Sequence, residues 1–152
     1  KGTAETLADG ILAGYPVVDV KVNLYDGSYH SVDSSEVAFK TATALALRKG
    51  VMEAEPVLLE PSYEMVVEAP EYYMGDVMGK LNSKRAKILG MDSTGKDMSQ
   101  VRAQIPAASL YKYATELRSL TQGRGSYTLE FSHYEEVPAK MAEKIIEEAK
   151  AE

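Results

Sequence analysis

The sequence contains no cysteine and only two histidines in 152 residues. Without cysteine there is no disulfide framework and no thiolate metal site. No apolar run approaches the roughly 20 residues that cross a bilayer. The first 14 residues carry charges and glycines that a signal peptide would lack. We therefore expect a soluble, cytoplasmic chain without membrane contact.

Several chemical motifs are absent as well. The phosphate-binding motif G-x-x-x-x-G-K-[ST] does not occur, and no second histidine stands at metal-ligand spacing. The acidic residues show no paired spacing that would favour an enzyme with carboxylate chemistry. We therefore predict no catalytic residue, no metal site and no cofactor in this chain.

The charge balance is acidic. The 17 basic and 23 acidic side chains give a net charge of −6, for which solubility is the simplest explanation. Domains that bind nucleic acids are usually basic, so any RNA contact here must come from local patches.

The first 54 residues predict an incomplete α+β domain. Apolar and polar side chains alternate over residues 17–24, which indicates a strand with one buried face. Helices are expected over residues 3–13 and 34–49, the second with Asp33 and Glu36 in its capping box. A strand needs neighbours to pair with, so we expect that strands precede Lys1. We also expect a monomer in which strand 17–24 is frayed or pairs with another molecule in a crystal.

The remaining chain predicts a different domain. Residues 55–61, with Pro56 and Pro61, indicate an extended connector. Residues 62–152 then follow the order β-α-β-β-α-β with an added helix. This is the ferredoxin-like, split βαβ arrangement: a four-stranded antiparallel sheet with two helices on one face. The predicted strands are 62–68, 87–92, 101–105 and 126–134, and the predicted helices span 70–86, 110–121 and the residues from Pro138.

Long stretches of the sequence resemble the C-terminal part of bacterial elongation factor G and its relatives. They are GYPVVDVKVNLYDGSYHSVDSSEVAFK (14–40), PVLLEP (56–61), MGDVMGKLNSKRAKILGM (74–91) and YATELRSLTQGRGSYTLEF (113–131). The resemblance implies a translational GTPase that moves transfer RNA and messenger RNA through the ribosome. Residues 1–54 look like the second half of its fourth domain, which is similar to ribosomal protein S-five. Residues 62–152 look like its ferredoxin-like fifth domain.

The resemblance also implies a binding partner and a binding loop. In that family the tip of the fourth domain contacts the transfer RNA–messenger RNA duplex, and the fifth domain docks on ribosomal RNA. His30 falls where the family has its tip histidine. GTP and Mg are expected only in a preceding domain. The tip loop implied as the RNA contact consists of Asp26, Gly27, Ser28, Tyr29 and His30.

Two further RNA contacts are predicted in the second domain. Lys84 and Arg85 lie in a basic cluster with Lys80 and Lys87, although a helix end also favours such charges. Gln122, Gly123 and Arg124 lie in the stretch TQGRG, whose two glycines allow close approach of a partner. The end of the preceding helix explains only one of these two glycines. The family usually has glycine where this chain has Lys112.

Other functions stay open at this point. A ribosome-recycling or ribosomal-protection paralogue would use the same docking surfaces. A regulatory module that binds a small molecule would instead have a concave pocket at a strand-paired dimer interface. The RNA hypothesis predicts exposed basic or aromatic tips at 26–30 and 122–124, and His133 is expected to be an edge or core histidine.

Overall fold

The computed structural model describes residues 1–151. Contacts within the chain define two compact units. One comprises Lys1–Leu58 and the segment that begins at Val137, and the other is Leu59–Glu136. The predicted domain ranges, which assigned the terminal helix to the second domain, stay a prediction.

The second unit contains a four-stranded antiparallel sheet in the order β2-β3-β1-β4. The element order is β-α-β-β-α-β, so the predicted α+β class and ferredoxin-like arrangement are confirmed. The elements of this unit are β1 (Leu59–Pro70), a 3-10 turn (Glu71–Tyr73), α3 (Met74–Ser83), β2 (Lys87–Gly95), β3 (Met98–Pro106), a second 3-10 turn (Ala107–Leu110), α4 (Tyr113–Leu120) and β4 (Ser126–Glu136).

The core of this unit lies between one sheet face and the two helices. In β1, Met65 and Val67 are fully buried while their neighbours Glu64 and Val66 are not, which is the period of a strand with one covered face. In β3, Val101 and Ile105 are buried in the same way. The helices fill this face with side chains four residues apart, namely Val77 and Leu81 of α3 and Tyr113 and Leu117 of α4.

The first helix of this unit is shorter than predicted. Pro70 was expected at its first position, but it ends β1, where it pairs with Met98 of β3. The 3-10 turn follows, so α3 begins at Met74. The helix ends at Ser83 instead of Ala86, whose side chain is buried in the core.

The first unit contains α1 (Gly2–Asp9) and α2 (Glu36–Glu53), and the segment from Val137 contributes α5 (Ala139–Ala151). Lys40 of α2 contacts Glu5 of α1 at 2.8 Å. This hydrogen bond lowers the pKa of Glu5 and raises that of Lys40. Both side chains are solvated, so the pair orients the two helices and adds little stability.

Residues 17–24 form no strand in the part of the chain that the structure describes, which agrees with the expected fraying but not with the expected buried face. No ladder forms there, and Val18, Val20 and Leu24, expected on a buried face, are exposed. Asp19 also has a positive φ of 59°, which interrupts the extended backbone. Alternation alone does not make a strand, because the backbone groups must meet a neighbouring strand.

Lys112 gives a stability test. It precedes α4 with φ 60° and ψ 3°, a left-handed conformation that costs an L-residue about 1–2 kcal/mol. Lys112→Gly is therefore expected to raise the free energy of unfolding by about 1 kcal/mol in urea titrations. Lys87→Gly, in the extended backbone of β2, is the control and should lower it. Equal losses in both variants would contradict the assignment of strain to Lys112.

Candidate nucleic-acid interface

The tip loop, residues 26–30, is exposed and has no regular secondary structure. The Gly27 N–H donates to Asp26 Oδ1 at 2.8 Å. His30 donates its backbone N–H to Ser34 Oγ at 2.8 Å, and its carbonyl accepts from the Ser34 N–H at 3.0 Å. These two bonds fix the His30 backbone, while its imidazole has no hydrogen bond or ion pair with any residue from 1 to 151.

The helix that follows the tip loop has a different cap from the predicted one. Ser35 is the N-cap of α2, and its Oγ accepts from the Ala38 N–H at 3.1 Å. Asp33, the predicted cap, instead lies in the turn that connects His30 to Ser34. The tip loop is thus tied to a helix N-terminus on one side, whereas the predicted strand support on its other side is absent from the described residues.

The basic cluster at the end of α3 is largely paired within the chain. Lys84 Nζ lies 2.8 Å from Glu116 Oε2 and donates to the Tyr111 carbonyl at 3.2 Å. Lys80 Nζ lies 3.0 Å from the other oxygen of Glu116, and Arg85 pairs with Glu60 of β1. These contacts join α3 to α4 and to the sheet. RNA contact by Lys84 and Arg85 stays a prediction, and the geometry gives both side chains a structural role.

The stretch 121–125 ends α4 in a Schellman-type turn. The Gly123 N–H donates to the Arg118 carbonyl at 2.8 Å, with Gln122 at φ 51° and Gly123 at φ 80°. Gln122 takes the left-handed position at which glycine is usual. The turn exposes the Gln122 side chain and the Gly123 backbone. The predicted site residues are therefore accessible.

The second glycine of this loop has a structural reason. The buried Thr121 hydroxyl donates to the Leu117 carbonyl and accepts from the Gly125 N–H, both at 2.8 Å. A Cβ on Gly125 would lie 2.8 Å from Thr121 Oγ1 and 2.9 Å from its Cγ2. Gly125 is thus required by packing against Thr121, so the pair of glycines is not by itself evidence for a partner.

Arg124 lies beside an aromatic pair that the sequence interpretation missed. Its Nη1 donates to the Tyr72 hydroxyl at 2.6 Å. Tyr72 and Tyr73 belong to the 3-10 turn after β1, and their ring centroids are 4.4 Å apart. Consecutive tyrosines after Pro70 were the available signal, but that stretch was assigned to a helix.

A partial phosphate-loop motif lies in β2 and its hairpin turn. Gly90, Gly95 and Lys96 match the motif spacing up to the lysine, and Asp97 stands where serine or threonine is needed. The turn joins β2 to β3, whereas a phosphate loop joins a strand to a helix. This segment is therefore not a nucleotide cradle.

A second arrangement resembles a catalytic triad. His133 is 2.8 Å from Ser132 Oγ through Nδ1 and 2.9 Å from Glu135 Oε1 through Nε2. All three residues lie on the edge strand β4, and Ser132 and Glu135 are exposed. A triad needs a water-excluding site and an oxyanion hole, so we interpret His133 as an edge histidine.

Two other kinds of feature are absent from residues 1–151. They contain no group of three or more histidine or acidic side chains arranged to hold a metal ion. No helix in this range is long and apolar enough to cross a membrane.

Comparisons with known proteins identify the family. The model for the elongation factor G C-terminus matches residues 57–145, and the model for elongation factor G, domain IV, matches residues 1–55. The chain belongs to the elongation factor G family. An elongation factor G from Aquifex pyrophilus is 56% identical over 151 residues, covering 99% of this chain and 22% of that protein.

A solved structure is similar to almost the whole of this chain. A crystal structure of a protein from Thermus thermophilus matches with a TM-score of 0.84 and 48% identity. The match covers 99% of this chain and 23% of the other. The chain thus spans under a quarter of the length of these relatives. The resemblance seen in the sequence is confirmed.

Gly125 provides a test of the loop packing. Gly125→Ala is expected to lower the free energy of unfolding by about 1–3 kcal/mol, because the added Cβ would meet Thr121, which is fully buried and held by two hydrogen bonds. Gly79→Ala is the control, since Gly79 is exposed on α3 with nothing within 4 Å of the added Cβ. The control should raise stability by up to about 1 kcal/mol in the same urea titration. Similar effects of the two substitutions would contradict the packing role.

Glu116 provides a test with pH. The hydrogen bonds from Lys84 and then Lys80 hold the pKa of Glu116 below its ordinary value of 4.5. A carboxylate whose pKa is lower in the folded state stabilises the fold at pH values above its pKa in the unfolded chain. This stability is lost as the pH falls through the folded-state pKa. Glu116→Gln should therefore flatten the decline in stability as the pH falls below about 5.

Lys84→Met is the matched variant in this pH test, because it removes the first partner of Glu116 and leaves the carboxylate. In chemical denaturation series at different pH values, this variant should lose most of the same decline in the free energy of unfolding. Profiles parallel to the unmodified chain in both variants would show that the pair is not coupled to folding.

Proposed function

We propose that this chain is the ribosome-docking part of a translational GTPase that promotes translocation of transfer RNA and messenger RNA. The observation that carries the proposal is the similarity to elongation factor G along 99% of the chain. The exposed tip loop and the exposed loop at 122–124 support it, because both present polar side chains from helix ends.

The tip loop acts mechanically in this proposal. Its imidazole and the exposed Tyr29 ring offer stacking faces and hydrogen-bond donors to RNA. Ser34 holds the His30 backbone from both its N–H and its carbonyl. The backbone of the loop is therefore partly ordered before it meets RNA, so less conformational entropy is lost on contact. This favours a loop that occupies the space next to the transfer RNA–messenger RNA duplex.

The second unit is the anchor in this proposal. Gln122, Gly123 and Arg124 contact ribosomal RNA of the large subunit, with Lys84 and Arg85 contributing where their internal pairs allow. GTP and Mg bind in a preceding domain of the complete protein, and this chain holds neither. The 152-residue chain is a monomer, and the protein acts in the cytoplasm.

His30→Ala in the complete protein tests the role of the tip. Loss of one aromatic contact to RNA, about 1–3 kcal/mol, should slow single-round translocation by about tenfold or more. Thermal unfolding should be unchanged, because the imidazole has no partner within residues 1–151. His133→Ala is the matched control, since it removes the other histidine of the 152-residue chain, and should leave translocation at the original rate.

Two outcomes would contradict this proposal in different ways. An unchanged translocation rate in His30→Ala would remove the tip from the mechanism. Normal translocation with slowed splitting of ribosomes would assign the protein to the recycling alternative instead.

A further inference from the structure

Three connections of the second unit meet at one end of its sheet. They are the 3-10 turn Glu71–Tyr73, the β2–β3 turn and the α4–β4 loop. The Glu71 N–H donates to the Asp97 carbonyl at 2.9 Å, and Arg124 donates to the Tyr72 hydroxyl at 2.6 Å. These bonds hold the three connections in one surface, which we call the end surface. Its side chains are Tyr72, Tyr73, Lys96, Gln122 and Arg124.

The end surface exposes an aromatic ring, that of Tyr72, whose hydroxyl oxygen already accepts a hydrogen bond. Tyr72 is 62% exposed, although burial of such a ring would be favourable. Its hydroxyl accepts from Arg124, and its ring leans on Tyr73 with an interplanar angle of 48°. What remains available is an aromatic surface beside the other N–H donors of a guanidinium group. This combination suits a flat ring that carries hydrogen-bond acceptors.

The charges of the end surface argue against recognition of a duplex backbone. Lys96 and Arg124 are positive, but Glu71 and Asp97 lie in the same connections. A surface that follows phosphates needs clustered basic residues, and such binding falls steeply with salt. With balanced charge, the binding free energy must come mainly from stacking and directed hydrogen bonds. The fitting partner is therefore an unstacked base in a single strand or loop.

The backbone of the end surface is already ordered for binding. Gln122 and Gly123 are held by the bonds that end α4, and Thr121 bonds to Gly125 next to them. Arg124 in turn is oriented by the Tyr72 hydroxyl. Little conformational entropy is then lost when a ligand binds.

We infer that the end surface binds an unstacked RNA base, with Tyr72 as the stacking platform and Arg124 and Gln122 as donors to the base edge. As a feature of the ribosome-docking anchor, this inference rests on the proposed function. It adds Tyr72 and Tyr73 to the residues that contact RNA. It also specifies a looped-out or single-stranded segment as the partner.

The test measures two kinds of binding by the 152-residue chain. Fluorescence anisotropy reports binding to a labelled single-stranded oligoadenylate and to the same strand in a duplex. Sedimentation reports binding to purified ribosomes. Binding to the single strand should be tighter than to the duplex, and its affinity should fall with a log–log salt slope of about −0.7 to −1.4, as for one or two phosphate contacts.

Tyr72→Ala should weaken binding to the oligoadenylate and to ribosomes by about tenfold. Tyr72→Phe keeps the ring and should retain most of the affinity. Tyr134→Ala is the matched control, because Tyr134 is also 62% exposed but lies in β4 beside Phe131 and away from the end surface. It should bind like the unmodified chain. Circular dichroism establishes that each variant is folded.

The outcomes separate this inference from the proposed function. If the chain binds ribosomes and Tyr72→Ala binds them as well as Tyr134→Ala does, the stacking inference is overturned and the proposed function stands. Weaker ribosome binding by Tyr72→Ala without any oligoadenylate binding would assign the end surface to a protein partner, which also overturns it. If the chain fails to bind ribosomes, the proposed function fails, and the dependence of oligoadenylate binding on Tyr72 still decides the inference.

Discussion

The packing of one sheet face against two helices is the constraint on which the second unit depends. Met65 and Val67 of β1 lie in this core with Leu81 of α3 and Tyr113 of α4. Burial of a methionine, valine or leucine side chain of this kind stabilises the fold by about 1.5–3 kcal/mol. Because this core fixes where each strand and helix ends, it also fixes where the 3-10 turn, the hairpin turn and the loop at 121–125 lie. The end surface is a consequence of those positions.

Both candidate loops are held by hydroxyl groups at helix ends. Ser34 and Ser35 bind backbone groups at the start of α2, and the buried Thr121 does so at the end of α4. Helix ends have unsatisfied backbone groups that need such partners. A loop tied there presents its outer side chains while its backbone is satisfied. The tip loop and the end surface therefore combine exposure with order, which suits contact with a large RNA partner.

Charge has different meanings in the sequence and in the structure. Lys80, Lys84 and Arg85 form a basic cluster along the chain, but their carboxylate partners, Glu116 and Glu60, come from other elements. The paired charges tie α3 to α4 and to β1. Arg124 instead donates one of its N–H groups to the Tyr72 hydroxyl, so this hydrogen-bond partner is a neutral group and not a carboxylate. The basic cluster at the end of α3 is thus already paired within the chain. The loop at 122–124, which carries fewer charges, is the better candidate interface.

The sequence by itself determined the element order of the second unit, the exposed tip loop and the family. Alternation in β1 and β3 and four-residue spacing in α3 and α4 are local signals that the core reinforces. Only the tertiary structure decided that Lys84 and Arg85 are paired and that Tyr72 meets Arg124. These features depend on partners far away in the chain, and a local pattern carries no information about which distant group arrives beside it.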